Sequence, residues 1–229
     1  MIFEIDRKGK FKHWITLEYR RKEFKCEWAT VKDGYLFVGS TGREWTNEKT
    51  GEIRDYNNML VFRIDENGNY QITDETRAYN QTRKMLNFSF PGYIIHEAIV
   101  WSDIHKKWFM LPRYCTNKKY DKKNEKDTGC NLLISANPSF DSFEIKHVGL
   151  HGKVRDAQGF SSFKFIPGSD DTLIFALKTT ETKNVANTIA MVFDICGNKI
   201  SDSKTISEKY EGVEFLKNSL RLRRDHGNL

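Results

Sequence analysis

Along most of the chain, apolar and polar residues alternate one by one or apolar residues gather in short blocks, as in Tyr35-Leu-Phe-Val-Gly-Ser40, Trp108-Phe-Met-Leu-Pro-Arg113 and Leu173-Ile-Phe-Ala-Leu-Lys178. Period two with β-branched and aromatic enrichment marks strands. Turn-forming clusters punctuate the blocks: Lys32-Asp-Gly34, Asp65-Glu-Asn-Gly-Asn69, Pro167-Gly-Ser-Asp-Asp171 and Cys196-Gly-Asn198. Their glycines and short polar side chains accept the positive φ that tight turns demand. The pattern predicts an all-β chain of short antiparallel strands. One stretch departs from it. Residues 74–87 place Tyr79, Arg83, Met85 and Leu86 near helical spacing after a capping-like Asp74-Glu-Thr, and predict a short helix.

Four segments share a layout in which a polar head starts an apolar strand, a tight turn follows and a second apolar strand returns. Cys26-Glu-Trp-Ala-Thr-Val31 turns through Lys-Asp-Gly into residues 35–40, and His96-Glu-Ala-Ile-Val-Trp-Ser-Asp103 leads to residues 108–113. Phe160-Ser-Ser-Phe-Lys-Phe165 leads to residues 173–178, and Tyr210-Glu-Gly-Val-Glu-Phe215 has the head and first strand only. The heads are Glu27, Glu97, Ser161 and Glu211, spaced 70, 64 and 50 residues apart. A four-stranded β-propeller blade takes about 40–50 residues, and insertions lengthen it. The innermost strand of each blade lines a central channel, so equivalent heads aim at one axis.

Three carboxylates and a hydroxyl brought together that way repel unless a cation neutralises them. Oxygen-only donors favour a hard ion, and calcium tolerates loose geometry. Taken singly, each glutamate reads as a solvated strand end; the shared register is what points to a common metal site.

Composition narrows the classes. With 229 residues, 38% of them hydrophobic, a large single domain is expected. No apolar run approaches the ~20 residues of a membrane span. The first residues, Met1-Ile-Phe-Glu-Ile-Asp-Arg-Lys-Gly9, lack the basic head and roughly 7–15-residue apolar stretch of a secretory signal. Basic residues outnumber acidic ones, 37 to 31, but the signs are interspersed, as in the loop of residues 118–127, which reads as a solvated face. Nucleic-acid binding needs clustered cations with stacking aromatics; only Leu220-Arg-Leu-Arg-Arg224 comes near, so nucleic acid is set aside as a partner.

The four cysteines (Cys26, Cys115, Cys130, Cys196) show no C-x-x-C spacing, which argues against structural zinc. Cys115 and Cys130 flank the polar loop and form a disulfide if the compartment is oxidising, or stay as thiols if it is not. Asn80-Gln-Thr82 and Asn87-Phe-Ser89 are glycosylation sequons that count only in a secretory lumen.

The residues around the heads resemble the calcium-activated nucleotidases, the apyrase family first typified by blood-feeding bugs and found also as a vertebrate lumenal enzyme. The matching blocks are Phe24-Lys-Cys-Glu-Trp-Ala-Thr-Val-Lys-Asp33, Gly42-Arg-Glu-Trp45, Pro91-Gly-Tyr-Ile-Ile-His-Glu97 and Trp101-Ser-Asp103. They continue with Trp108-Phe-Met-Leu-Pro-Arg113, Asn131-Leu-Leu-Ile-Ser-Ala136, His147-Val-Gly149, Gly159-Phe-Ser-Ser-Phe-Lys-Phe-Ile-Pro167 and Lys209-Tyr-Glu-Gly-Val-Glu-Phe215. They run in family order from about Ile2 to Phe215.

The resemblance implies a five-bladed β-propeller over residues 1–216, followed by a basic tail, 217–229. It implies calcium on the axis, held by Glu27, Glu97, Ser161 and Glu211, and hydrolysis of nucleoside di- and triphosphates, with UDP and GDP among the substrates. A secreted or ER/Golgi-lumenal location and a homodimer are further expectations of the family. Two departures stand out. The Ser-Asp-Leu block and Asp-Asp-Arg-Thr-Gly loop of the family's N-terminal region have no counterpart, so the chain is expected to lack the first blade and part of the second, with a calcium ligand and catalytic aspartates. Met59, in Asn58-Met-Leu60, stands where the family tends to place a carboxylate. The alternative reading is therefore a non-catalytic propeller fragment that binds calcium or nucleotide.

For the substrate, Arg113 reads either as a phosphate clamp or as a surface arginine at the outer end of its strand, and Arg83 on the predicted helix is a second phosphate candidate. Trp45 and Trp101 serve base stacking or blade packing. His96 points to the opposite face from Glu97 by strand alternation and reads as packed. His147 and His151 lie in strand and turn and are not expected as ligands.

Overall fold

The computed structural model describes residues 1–6, 8–19, 24–47, 49–121, 128–149, 158–182 and 185–216. The basic tail, His151 and most of the polar loop after Tyr120 lie outside them. Strands β1 (Ile2–Ile5) and β2 (Phe11–Ile15) form a hairpin. Next come β3 (Trp28–Lys32) and β4 (Tyr35–Gly39), the small hairpin of β5 (Trp45–Thr46) and β6 (Ile53–Asp55), then β7 (Leu60–Ile64) and β8 (Tyr70–Asp74). Helix α1 (Thr76–Met85) leads to β9 (Tyr93–Ser102), β10 (Lys107–Thr116), β11 (Leu132–Ala136) and β12 (Phe143–His147). The last group is β13 (Gln158–Phe165), β14 (Leu173–Glu181), β15 (Ala186–Asp194) and β16 (Lys204–Ile206).

Among the described residues the fold is all-β apart from α1 and a 3-10 turn at Asn57–Met59, and every strand pairing is antiparallel. Among the described residues there are three four-stranded sheets, ordered β3-β4-β7-β8, β9-β10-β11-β12 and β13-β14-β15-β16. The first strands neighbour one another, β3 beside β9 and β9 beside β13. Asp33 and Gly34, both at positive φ, close the β3–β4 hairpin as the Asp-Gly dipeptide requires.

The core explains why β9 reads as an almost unbroken apolar run. Ala98 and Val100 pack with Phe160, Phe163, Ile174 and Phe193 of the third sheet. Ile99 and Trp101 pack with Trp28 and Val61 of the first, and with Met59 just before β7. Both faces are covered, so both must be apolar. Helix α1 forms where expected, two residues shorter at each end, because Asp74 belongs to β8 and its carboxylate accepts the Thr76 amide at 2.9 Å. The fourth repeat unit differs from expectation: residues 210–215 form no strand. The Tyr210 amide goes to the Thr188 hydroxyl and the Val213 amide to the Ser162 hydroxyl, so side chains of β15 and β13 take the bonds a neighbouring strand would have taken. Cys115 and Cys130 are joined as a disulfide.

Candidate functional site

Three of the four heads occupy a similar structural position, a β-bulge on a sheet's first strand, immediately before β3 and within β9 and β13. Trp28 pairs with Gly39, and the Glu27 amide also donates to the Gly39 carbonyl at 2.9 Å, so two residues face one. In β9, Ala98 and Glu97 together face Leu111, since Ile99 pairs with Met110 and His96 with Pro112. In β13, Phe160 pairs with Lys178 and Ser162 with Leu177, which leaves Ser161 as the extra residue. A bulge re-aims the side chain it carries. Arg113 sits at a fourth, between the Pro112–His96 and Tyr114–Ile95 pairs.

Glu27 and Glu97 face a cavity of about 890 Å3, and with Glu211 they also line an adjoining one of about 440 Å3. Burial pushes the Glu97 carboxyl up to about 7; Arg113 opposes this, while Glu27 and Glu211 add to it. Its Oε2 is buried without a hydrogen-bond partner. Each carboxylate has a cation beside it: Lys25 Nζ is 2.6 Å from Glu27, Arg113 Nε is 3.7 Å from Glu97, and Lys209 Nζ is 2.8 Å from Glu211. Ser161 is buried and its hydroxyl donates to the Tyr210 carbonyl at 2.8 Å, next to Glu211.

The donor set is oxygen-only, and the unpartnered Glu97 oxygen is the kind of atom a hard cation satisfies. The chemistry fits calcium. The arrangement as it stands is not a closed coordination shell: among the described residues no three His, Cys, Asp or Glu side chains are grouped to hold a metal ion.

The two arginines separate sharply. Arg113 is only 1% exposed, in the interior of β10, which corrects the surface-cap alternative. Its Nη1 donates to the carbonyls of Gly159 at 2.9 Å and Thr179 at 2.5 Å, and to the Thr179 hydroxyl. Gly159 is obligatory: a Cβ there would lie 1.6 Å from the Arg113 carbonyl oxygen. Arg83 does not line the cavity. Its guanidinium holds Glu44 bidentately at 2.7 and 2.5 Å, both residues are buried, and Asn80 adds a bond. It is a structural ion pair.

In place of Arg83 the large cavity presents Arg43 and Arg54, with Trp45, Tyr114 and Tyr120. Arg43 lies over the Tyr120 ring at 3.8 Å. Sequence reasoning missed both arginines because interspersed charge hides which cations converge; Arg43 stood in the quoted Gly42-Arg-Glu-Trp45 block. Trp45 is half exposed on the cavity, whereas Trp101 is buried and packed against Trp108. His96 is packed as expected, 1% exposed against Tyr79, and burial lowers its pKa to about 3, so it is neutral. His147 ends β12, paired with Leu132 and away from the cavity. Met59 is fully buried in the core.

The apyrase family model matches residues 1–216. The chain belongs to the apyrase family. It is 42% identical over 196 residues to an apyrase of Cimex lectularius, covering 85% of this chain and 53% of that protein. It is 39% identical to soluble calcium-activated nucleotidase 1 of Rattus norvegicus, covering 85% of this chain and 48% of that one. An apyrase of Phlebotomus duboscqi is 33% identical over 225 residues, 96% of this chain and 66% of its own. The chain thus spans about half the length of the first two relatives.

Proposed function

We propose that this apyrase-family chain hydrolyses the terminal phosphate of nucleoside di- and triphosphates, UDP and GDP among them, in a calcium-dependent way. The observation that carries the reading is the large cavity, in which Arg43, Arg54 and Arg113 face the same space as part-buried Glu27 and Glu97. The family and the printed name of the rat relative support it. The three sheets, with their first strands adjacent, support a five-bladed propeller as the architecture to which this chain contributes.

Phosphoryl transfer asks for charge neutralisation and positioning more than for covalent help. Arg113, held rigidly by two carbonyls, would present its remaining guanidinium donors to phosphoryl oxygens, with Arg43 and Arg54 neutralising the rest of the polyphosphate. Half-exposed Trp45 supplies a face for the base. Glu27, Glu97, Ser161 and Glu211 would hold calcium, which when bound supplies Lewis-acid polarisation of a phosphoryl oxygen and a template for water. The Cys115–Cys130 disulfide supports a secreted or ER/Golgi-lumenal location, and a homodimer completes the reading.

The test is phosphate release from UDP and GDP with calcium and with chelator. Release only with calcium, lost in Arg113→Ala, is expected; no release in either condition sinks the catalytic reading. A second reading, binding without turnover, is favoured by the lysines already paired to Glu27 and Glu211. Calcium or nucleotide heat in titration calorimetry without phosphate release would select it.

A further inference from the structure

Two lysines stand where the proposed ion's charge would act. Lys25 Nζ lies 2.6 Å from Glu27 Oε1. Lys209 Nζ bridges Glu181 Oε2 at 2.6 Å and Glu211 Oε1 at 2.8 Å. Both lysines line the large cavity with Glu27, Glu97 and Glu181.

We propose that Lys25 and Lys209 are built-in counter-cations that compete with calcium for Glu27 and Glu211 and thereby set the calcium concentration at which the site fills. The inference rests on the calcium reading above and concerns its regulation. An ammonium suits the role: it is a compact monovalent charge on a flexible stem, able to neutralise a carboxylate and to leave it by rotation about side-chain bonds. A divalent oxygen-seeking ion brings twice the charge and several ligand bonds, so it wins once its concentration is high enough. Lys209 has a place to go when displaced, because Glu181 is a second carboxylate partner 2.6 Å away. Lys25, whose side chain is 75% exposed, turns to solvent. Lys209, at 19%, is the more confined of the two and the stronger competitor.

The experiment is calorimetric titration of calcium chloride into the full chain as wild type, Lys25→Met, Lys209→Met and Lys49→Met. Lys49 lines the same cavity and makes no ion pair with the heads, so its variant reports the general field alone. Removing a competing ion pair should tighten the calcium Kd about three- to tenfold for Lys209→Met and somewhat less for Lys25→Met, against under about twofold for Lys49→Met. The 13Cε resonances of Lys25 and Lys209 should move with calcium at the same midpoint. Gln variants serve wherever a Met variant melts early.

If wild type binds calcium and Lys25 and Lys209 variants tighten it no more than Lys49→Met does, the competition is refuted while the calcium reading stands. If wild type shows no binding and the lysine variants bind, the competition is upheld in its strongest form. If none of the four binds, the calcium reading fails and the inference with it.

Discussion

Two buried arginines, each with a carboxylate, differ in what their pairing leaves undone. Arg83 and Glu44 close on each other at 2.5 and 2.7 Å in a bidentate pair, away from the large cavity. Arg113 is as deeply buried, yet spends donors on the Gly159 and Thr179 carbonyls and stands 3.7 Å from Glu97, whose Oε2 is left without a bond. The first pair is complete at its carboxylate, both Glu44 oxygens being taken while Arg83 Nε is left without a bond, and the second is held open at its carboxylate. A complete pair does structural work only, because neither oxygen is available to a ligand and the spare Nε is buried off the cavity; an open one keeps charge in reserve on the cavity wall. The residue types are the same, and the difference lies in which groups reached the guanidinium first.

The largest effect should come from breaking the complete pair. Arg83→Ala strands Glu44 as a buried, unpaired carboxylate and should cost roughly 3–5 kcal/mol in urea unfolding. Arg113→Ala should cost less, since Glu97 is already pushed up to about 7 and takes a proton near neutrality, and it should abolish nucleotide binding, which Arg83→Ala protein that stays folded retains. Equal stability losses would erase the distinction.

Next in size is the disulfide, whose Cys115 lies two residues beyond Arg113 and whose partner is 15 residues away. Cys115→Ser with Cys130→Ser should cost about 3 kcal/mol by loop entropy. It should loosen hydrogen-exchange protection around Arg113 far more than around Arg83.

Lys178 extends the series to a buried cation with a neutral partner, the Asn131 amide oxygen at 2.9 Å. Burial lowers its pKa from 10.5 to about 8. Below pH 8 the folded state carries a costly charge. Between pH 8 and 10.5 the unfolded chain binds more protons, so stability rises with pH. Relative to Lys178→Met, wild type should gain about 1–2 kcal/mol from pH 8 to pH 10 in thermal melts; a flat difference would show that the ammonium is not desolvated. The smallest stability change belongs to Glu97→Gln, under about 1 kcal/mol, because a neutral side chain suits the burial that already disfavours its charge. Its calcium Kd should nevertheless weaken at least tenfold by calorimetry.

Much of this was readable in the residues. Alternation and Asp-Gly turns located strands such as β3 and β4, and the heads Glu27, Glu97 and Ser161 do occupy equivalent positions. Residues 210–215 misled because an apolar-polar pattern says nothing about whether a backbone partner is present; the hydroxyls of Thr188 and Ser162 took the amides instead. Arg83 and Arg113 could not be told apart because their partners are 39 and up to 66 residues distant in the chain. Arg54 carried no local signal at all, since convergence on a cavity is a property of the packed sheets.

The bulges at Glu97 and Arg113 have a consequence for anyone recombining this chain with its relatives. One extra residue in β9 and another in β10, a step further along, act as a phase offset and its correction, so the side-chain alternation of the two strands is matched only when both travel together. A crossover placed between them would leave one strand half a pleat out of step, turning inward residues outward over the rest of its length. Seams cut in the turns before Tyr93 and after Thr116 would keep the offset intact, and deletion of Glu97 should do more damage than any substitution of it.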